Sequence, residues 1–318
     1  MKRQLTTRVL TIIAAGMAVA LMPAADDTVA TAVYARVGQG YKREKAKDGG
    51  FKPEYYALSN GGRIYGTASD ITVDRVTYPE VAEIATHLLG QQNYRYARNK
   101  EQAKLLIVLQ WGNTIAPNGM NYSLSVNHAA SIYSELAAAM GPQGMGSLDT
   151  SGGGGALREG SDPSVKERFE AAMLRLLTDN RMRDQINESN ARVLGYLDDL
   201  ADTNDIRRWA GGGDRYTDLI TDVEESRYYI VISAYDFPEL VKNGKKKLLW
   251  QTRVSVRAPG NRFDDSVAAM LKGASKYFGQ DSGRLIRGEE SKGALELGDR
   301  KFLGEAKDAP AAAGNEGK

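Results

Sequence analysis

The residues able to do chemistry are few, and their spacing is poor. His87 and His128 are the only two histidines, and there is no cysteine among the 318 residues. A metal site would need further ligands converging on one of these imidazoles at a recognisable spacing, and none is visible. His87 falls in or beside an apolar helical stripe, the position of a structural histidine. His128 lies in an alanine-rich stretch, next to Asn127 and two helical turns before Glu135. Asp198, Asp199 and Asp202 form the densest acidic group. Asp198 and Asp202, four apart, share a helix face and could hold a cation with a third ligand, although a solvated face is the plainer reading. Asp264 and Asp265 open the last helical pattern, where the positive end of the helix suffices to explain them. Neither Gly-x-Ser-x-Gly nor Ser-x-x-Lys occurs, nor does a phosphate loop or a dinucleotide glycine pattern. Gly152–Gly155 and Gly211–Gly213 lack the strand-then-helix context of phosphate binding and read as a linker and a helix stop. No residue is therefore assigned a catalytic, cofactor-binding or metal-ligating role.

Aromatic residues offer more. Tyr94, Tyr96, Trp111, Tyr122, Trp209, Tyr216, Tyr228, Tyr229, Tyr235 and Trp250 gather near the expected strand ends and element junctions. Packing accounts for most such rings. Yet Trp and Tyr combine contact area with a polar handle, which suits interfaces and glycan stacking. Trp111, Tyr122, Trp209, Tyr216 and Trp250 are the candidate interaction surface, toward an envelope protein or a glycan. Lys242 and Lys245–Lys247 form a basic cluster that reads as a solvated hairpin tip. The formal charge of +2 gives the whole chain no electrostatic reason to seek nucleic acid.

The elements that must position these residues follow from hydrophobic periodicity. Arg63–Val76 has strand character. Thr77 and Glu80 form a capping box, with Pro79 in the first turn, opening a helix whose buried face is Val81, Ile84, Ala85, Leu88 and Leu89. Lys104–Trp111 is a short run of branched apolar residues and reads as a strand covered on both faces. Ser123–Met140 predicts a helix with Val126, Ile132 or Tyr133, Leu136 and Met140 inside. Asp162 and Pro163 open another, lined by Val165, Phe169, Met173 and Leu176. A polar break at Thr178–Asn180 predicts a fold-back into a further helix carrying Met182, Ile186, Val193, Leu197 and Leu200. Arg227–Phe237 and Lys246–Arg257 alternate as strands, with Leu248, Trp250, Thr252, Val254 and Val256 sharing one face. Asn243-Gly244 between them predicts an antiparallel hairpin. Phe263–Phe278 closes the pattern as a helix, with Val267, Met270, Leu271, Ala274 and Phe278 inside.

The N-terminus carries an export pattern. Lys2, Arg3 and Arg8 precede an apolar run from Val9 to Met22, ended by Pro23-Ala24-Ala25. That run is about 14 residues, short of the roughly 20 needed to span a bilayer as a helix. Small residues around Ala30-Thr31-Ala32 and Val33-Tyr34-Ala35 predict cleavage after Ala32 or Ala35; an uncleaved leader would leave a membrane-tethered domain. Loss of residues 1–32 leaves a net charge of about +1. Without cysteine there is neither a lipid attachment point nor a disulfide.

The sequence thus divides into a signal peptide (1–32), a flexible leader (33–62), an α/β core in two parts (63–111 and 226–288), an inserted helical subdomain (112–225) and a disordered tail (289–318). The expected fold is α+β: a small mixed or antiparallel sheet packed with two helices, plus the helical insert. The helix-then-strand pattern ending in Ala103–Val108, and the later strand Leu249-Trp250-Gln251-Thr252-Arg253-Val254 leading into the last helix, resemble an exported bacterial α/β domain of unknown function from lipoprotein-like envelope proteins. The resemblance covers roughly Pro79–Trp111 and Arg227–Gly279. It implies an envelope location and transfers no catalytic residue. The chain departs from the type in having no cysteine and in its large insert. The expectation is a non-catalytic periplasmic or secreted protein, a binding or assembly module using the insert, with no cofactor. The alternative is a periplasmic enzyme acting on an envelope polymer or small solute.

Overall fold

A computed structural model describes residues 28–47, 49–64, 69–117, 119–140, 164–203 and 213–292; the side chains of 119–121, 139–140, 201–203 and 213–216 are outside this description. The seven strands are β1 (Thr28–Val37), β2 (Glu54–Arg63), β3 (Tyr94–Tyr96), β4 (Leu105–Asn113), β5 (Arg227–Asp236), β6 (Leu248–Arg257) and β7 (Ile286–Ser291). They form one mixed sheet in the order β3-β2-β4-β5-β6-β1-β7. β2 runs parallel to β3 and β4, and all other neighbours are antiparallel. The fold is α+β, with a wider sheet than the sequence suggests.

One face of the sheet holds the main core. Alternate residues Leu105, Ile107, Leu109 and Trp111 of β4 meet Ile230 and Ile232 of β5 and Trp250, Val254 and Val256 of β6. Two helices cover them. The first, α2 (Tyr78–Gln91), follows a single turn α1 (Ile71–Asp74) and contributes Val81, Ala85, Leu88 and Leu89. Its start is the expected capping box: the Thr77 N–H donates to Glu80 Oε2 at 2.7 Å and the Thr77 hydroxyl donates to the same oxygen at 3.0 Å. The second, α8 (Phe263–Ser275), contributes Phe263, Val267, Met270, Leu271 and Ala274, and Phe278 follows it into the core.

The insert lies between β4 and β5, which are sheet neighbours. It contains α3 (Gly119–Met140), α4 (Ser164–Leu194), α5 (Leu197–Thr203) and α6 (Gly213–Glu224). Its distal and proximal parts do different things. Ala191 and Leu194 of α4, Tyr196, and Leu219 and Val223 of α6 pack on Tyr229 and Val231, forming the second layer of the domain. Distally, α3 and the first half of α4 pair antiparallel. Ala129 and Ile132 meet Ala172, Leu136 meets Val165, and the Ser125 hydroxyl donates to Asp179.

Several expectations change. The leader expected over 33–62 contains the second half of β1 and all of β2 but Arg63, and β1 is an internal strand between β6 and β7. The strand expected at Arg63–Val76 gives way to the end of β2 and the turn α1. Thr178–Asn180 does not break the helix: α4 runs unbroken for 31 residues. The polar groups there are used within the helix pair, since the Thr178 hydroxyl donates to Leu174 O at 2.9 Å and Asp179 accepts from Ser125. Asn243-Gly244 is a helix end rather than a tight turn. A short helix, α7 (Phe237–Asn243), joins β5 to β6, and Gly244 closes it in the left-handed region with φ +67°. Ile286–Ser291, partly assigned to a disordered tail, is strand β7; residues 293–318 lie outside the described residues.

Candidate functional site: a helical hairpin and an arginine-lined cleft

The structure separates the five aromatic candidates. Trp250 is 0 % exposed, with its ring on Phe278 (centroids 5.8 Å apart) and tilted against Tyr94. Trp111 is 5 % exposed in the same core. Neither presents a ring face to a partner, so both leave the proposed surface. Even spacing along apolar strands should have warned of this, because both tryptophans fall on the inward alternation. Tyr122 is half-buried on α3, with the Arg183 guanidinium 4.8 Å above its ring. Tyr216 lies in α6 with its side chain outside the description, and Trp209 lies outside the described residues.

A different set of side chains makes the insert a surface. Of the eleven large apolar side chains exposed among the described residues, six belong to the paired helices: Leu124, Val126 and Tyr133 on α3, and Leu174, Leu177 and Met182 on α4. Helical geometry explains their positions. The α3–α4 seam uses Ser125, Ala129, Ile132 and Leu136 against Val165, Phe169, Ala172, Met173 and Leu176. At about 100° per residue, Leu174, Leu177 and Met182 then project from the side of α4 turned away from α3, while Leu124, Val126 and Tyr133 flank the seam. Val126 and Met182, expected inside, are outside because the seam runs along Ser125, Ala129, Ile132 and Leu136 on α3 and ends near Asp179 on α4.

The hairpin is anchored at its base. Asn190 Nδ2 donates to the Ile115 and Val223 carbonyls at 2.7 and 2.9 Å, tying α4 to the start of the connection from β4 and to α6. Arg183 pairs with Glu224 at 2.5 Å, and the Asn187 amide donates to the same carboxylate. Beyond these ties, the described packing of α3 and the first half of α4 is against each other. The stretch of α3 from Ser125 to Met140 corresponds to about 24 Å of helix.

A cleft of about 290 Å³ is lined by Arg227, Arg257, Arg287, Glu289 and residues 30–32 of β1. Its cations are occupied. Arg227, 2 % exposed, donates from Nη1 to Asp222 Oδ1 at 2.9 Å and from Nε to Ser255 Oγ at 3.1 Å. Arg287 pairs with the other Asp222 oxygen at 2.9 Å, and Arg257 pairs with Glu225. Burial pushes the neighbouring Tyr196 hydroxyl up to about 12, so it is protonated at neutral pH. The cleft is a balanced ionic network joining α6 to β5, β6 and β7 rather than an assembled acid–base site.

The other chemical candidates are dispersed. His87 Nε2 is 3.0 Å from Gln91 Nε2 on the surface of α2, and His128 is exposed on α3. Asp198 pairs with Arg36 at the surface, Asp199 is buried, and the Asp202 side chain is outside the description. Asp264 is bound by Arg262, whose hydrogen bond holds its carboxyl below the usual range. Lys242 and Lys245–Lys247 are exposed around the end of α7 and the start of β6. Among the described residues, no group of three or more potential ligands is arranged to hold a metal ion, and no helix is long and apolar enough to cross a membrane.

Comparison with known proteins leaves the site to its own geometry: no protein-family profile matches the chain, and no curated protein is significantly similar to it.

Proposed function

We propose that this is a non-catalytic exported protein of the cell envelope, and that it binds or assembles with another protein through the α3–α4 hairpin. The observation that carries the reading is the concentration of exposed Leu124, Val126, Leu174, Leu177 and Met182 on two helices that rest distally on one another. Exposed apolar side chains gathered on one projecting element favour a protein contact, because burying them there releases water without disturbing the core. Export is supported by the basic start and apolar run of residues 2–22, and by the resemblance of the flanking segments to exported envelope domains. With no cysteine available for a lipid anchor, retention at a surface would depend on contacts of this kind.

Site-specific crosslinking tests the reading. A photoreactive residue at Leu174 or Leu177 should capture one discrete partner in intact cells, while the same residue at exposed Lys246 should not. The double substitution Leu174→Glu, Leu177→Glu should abolish capture from Leu124 and leave thermal stability within about 0.5 kcal/mol, as expected for exposed positions. Equal capture from Lys246, or capture undiminished in the double variant, would remove the hairpin as the binding surface.

A further inference from the structure

The export reading places a peptidase site near the start of the chain, and strand β1 restricts where it lies. Two of the small-residue stretches suited to cleavage, Ala30-Thr31-Ala32 and Val33-Tyr34-Ala35, fall inside β1. That strand is hydrogen-bonded on both sides. It pairs with β6 from Thr31↔Val256 to Val37↔Trp250, and with β7 from Thr28↔Ser291 to Val33↔Ile286. Val29, Thr31, Ala32, Val33, Tyr34 and Ala35 are all buried.

A cut after Ala32 would remove every β1–β7 pair except Val33↔Ile286, and would strip Val29 from the main core. The Thr31 hydroxyl bond to Gly288 O would go as well. It would also create a new ammonium at Val33, a residue 3 % exposed between β6 and β7, where an unpaired charge is strongly disfavoured. A cut after Ala35 is worse. It would leave β1 only Arg36↔Gln251 and Val37↔Trp250, and would take away Tyr34, whose ring lies against Gly195 at the end of α4. β7 would become a strand without a neighbour, and its unpaired backbone groups would open the edge of β6.

We infer that the leader is removed upstream of Thr28, so that the mature chain opens with an intact β1. Two small-residue stretches remain there: Ala18-Val19-Ala20, which leaves Val9–Met17 as the apolar segment, and Pro23-Ala24-Ala25, where the proline ends the apolar run. The mature protein then begins at Leu21 or Asp26. This inference rests on the export reading, and the test keeps the two apart.

The full chain with a C-terminal tag is expressed in a bacterium with a general secretory pathway, fractionated, and examined by intact mass and N-terminal sequencing. A periplasmic or secreted product starting at Leu21 or Asp26 is expected. An exported product starting at Val33 or Arg36, or one retaining Met1, would overturn the inference while export stood. A product confined to the cytoplasm with Met1 retained would overturn the export reading and the inference with it. In a parallel measurement, chains beginning at Asp26 and at Val33 are compared by urea denaturation. The first should unfold cooperatively and the second should lose its cooperative transition. Equal midpoints would show that the N-terminal half of β1 is dispensable and would remove the basis of the inference.

Discussion

Replacing Asp222 by Asn should destabilise the protein out of proportion to the change in shape. Asp222, on α6, is 5 % exposed and holds two guanidinium groups: Arg227 at 2.9 Å through Oδ1 and Arg287 at 2.9 Å through Oδ2. The two cations will respond differently. Arg287 is half exposed and can turn its charge to water. Arg227 is enclosed, with Ser255 Oγ on Nε and Glu225 a distant 3.9 Å from Nη1. Removing one partner of a buried pair costs about 3–5 kcal/mol, because the remaining charge is left in a poorly polarisable site. Glu225 supplies partial compensation, so the lower end, about 3 kcal/mol, is expected for Asp222→Asn. With an m-value of about 3 kcal/mol/M, the urea midpoint should fall by about 1 M at unchanged slope. The companion variant Asp222→Leu, Arg227→Met removes both charges and should recover at least half of the loss, since apolar replacement of a buried pair is often close to neutral. A loss below about 1 kcal/mol for Asp222→Asn, or a double variant less stable than the single one, would refute the claim that an enclosed Arg227 charge dominates this junction.

Other consequences are equally direct. Burial alone would raise the Asp70 carboxyl, but hydrogen bonds from the Thr72 hydroxyl, Tyr228 and the Thr72 and Val73 amides hold it below the usual value. Asp70 therefore contributes stability that is fully present above its unfolded pKa and is lost as pH falls through the depressed folded one. Asp70→Ala should cost about 1 kcal/mol at pH 7 as a lost N-cap, and the gap to the parent should narrow below about pH 4 in acid titrations of stability. Gly279 sits at φ +68°, and a Cβ there would come within 2.7 Å of Arg43 Cδ and closer still to the Tyr94 hydroxyl. Gly279→Ala should accordingly cost about 1–3 kcal/mol by denaturant melting. Trp250→Ala should cost about 3–5 kcal/mol and abolish most near-ultraviolet ellipticity change on unfolding; a loss under about 1 kcal/mol would contradict its place at the centre of the core.

Deleting Gly112–Glu225 as a unit is a poor test of the insert. Leu194, Tyr196, Leu219 and Val223 cover Tyr229 and Val231, so whole-insert deletion would uncover the second face of the sheet. The insert contributes a layer of the domain at its base and a candidate binding element at its tip. Surface substitutions at Leu174 and Leu177 separate these roles.

Local order was readable where one short-range signal decided it. The capping box at Thr77 and Glu80, the apolar stripe of α2 and the inward row Trp250, Thr252, Val254, Val256 of β6 each depend on periodicity within a single element, although Leu248, expected in that row, is exposed where the pairing with β5 shifts register. Local pattern misleads where the deciding partner is remote. With its small residues, Thr28–Ala32 passes for the end of a signal peptide and Val33–Val37 for the start of a leader; together they become an internal strand only because β6 and β7 return beside them from more than 200 residues away. Thr178–Asn180 looks like a break until Ser125 on the facing helix supplies a partner for Asp179. The exposed face of the hairpin was hidden for the same reason, since which of Val126 or Ala129 faces inward depends on how closely α4 approaches.

By itself, the sequence determined the α+β class, the presence of a long helical segment between two core strands, and the absence of thiol chemistry. These follow from composition and from repeats of two and 3.6 residues, which act over one element at a time. Only the tertiary structure decided that β1 belongs to the sheet, that Trp111 and Trp250 are closed to partners, and that the arginines of the cleft are neutralised by Asp222 and Glu225. Each of those outcomes depends on groups far apart in the chain, whose burial and charge pairing exist only once the sheet has assembled.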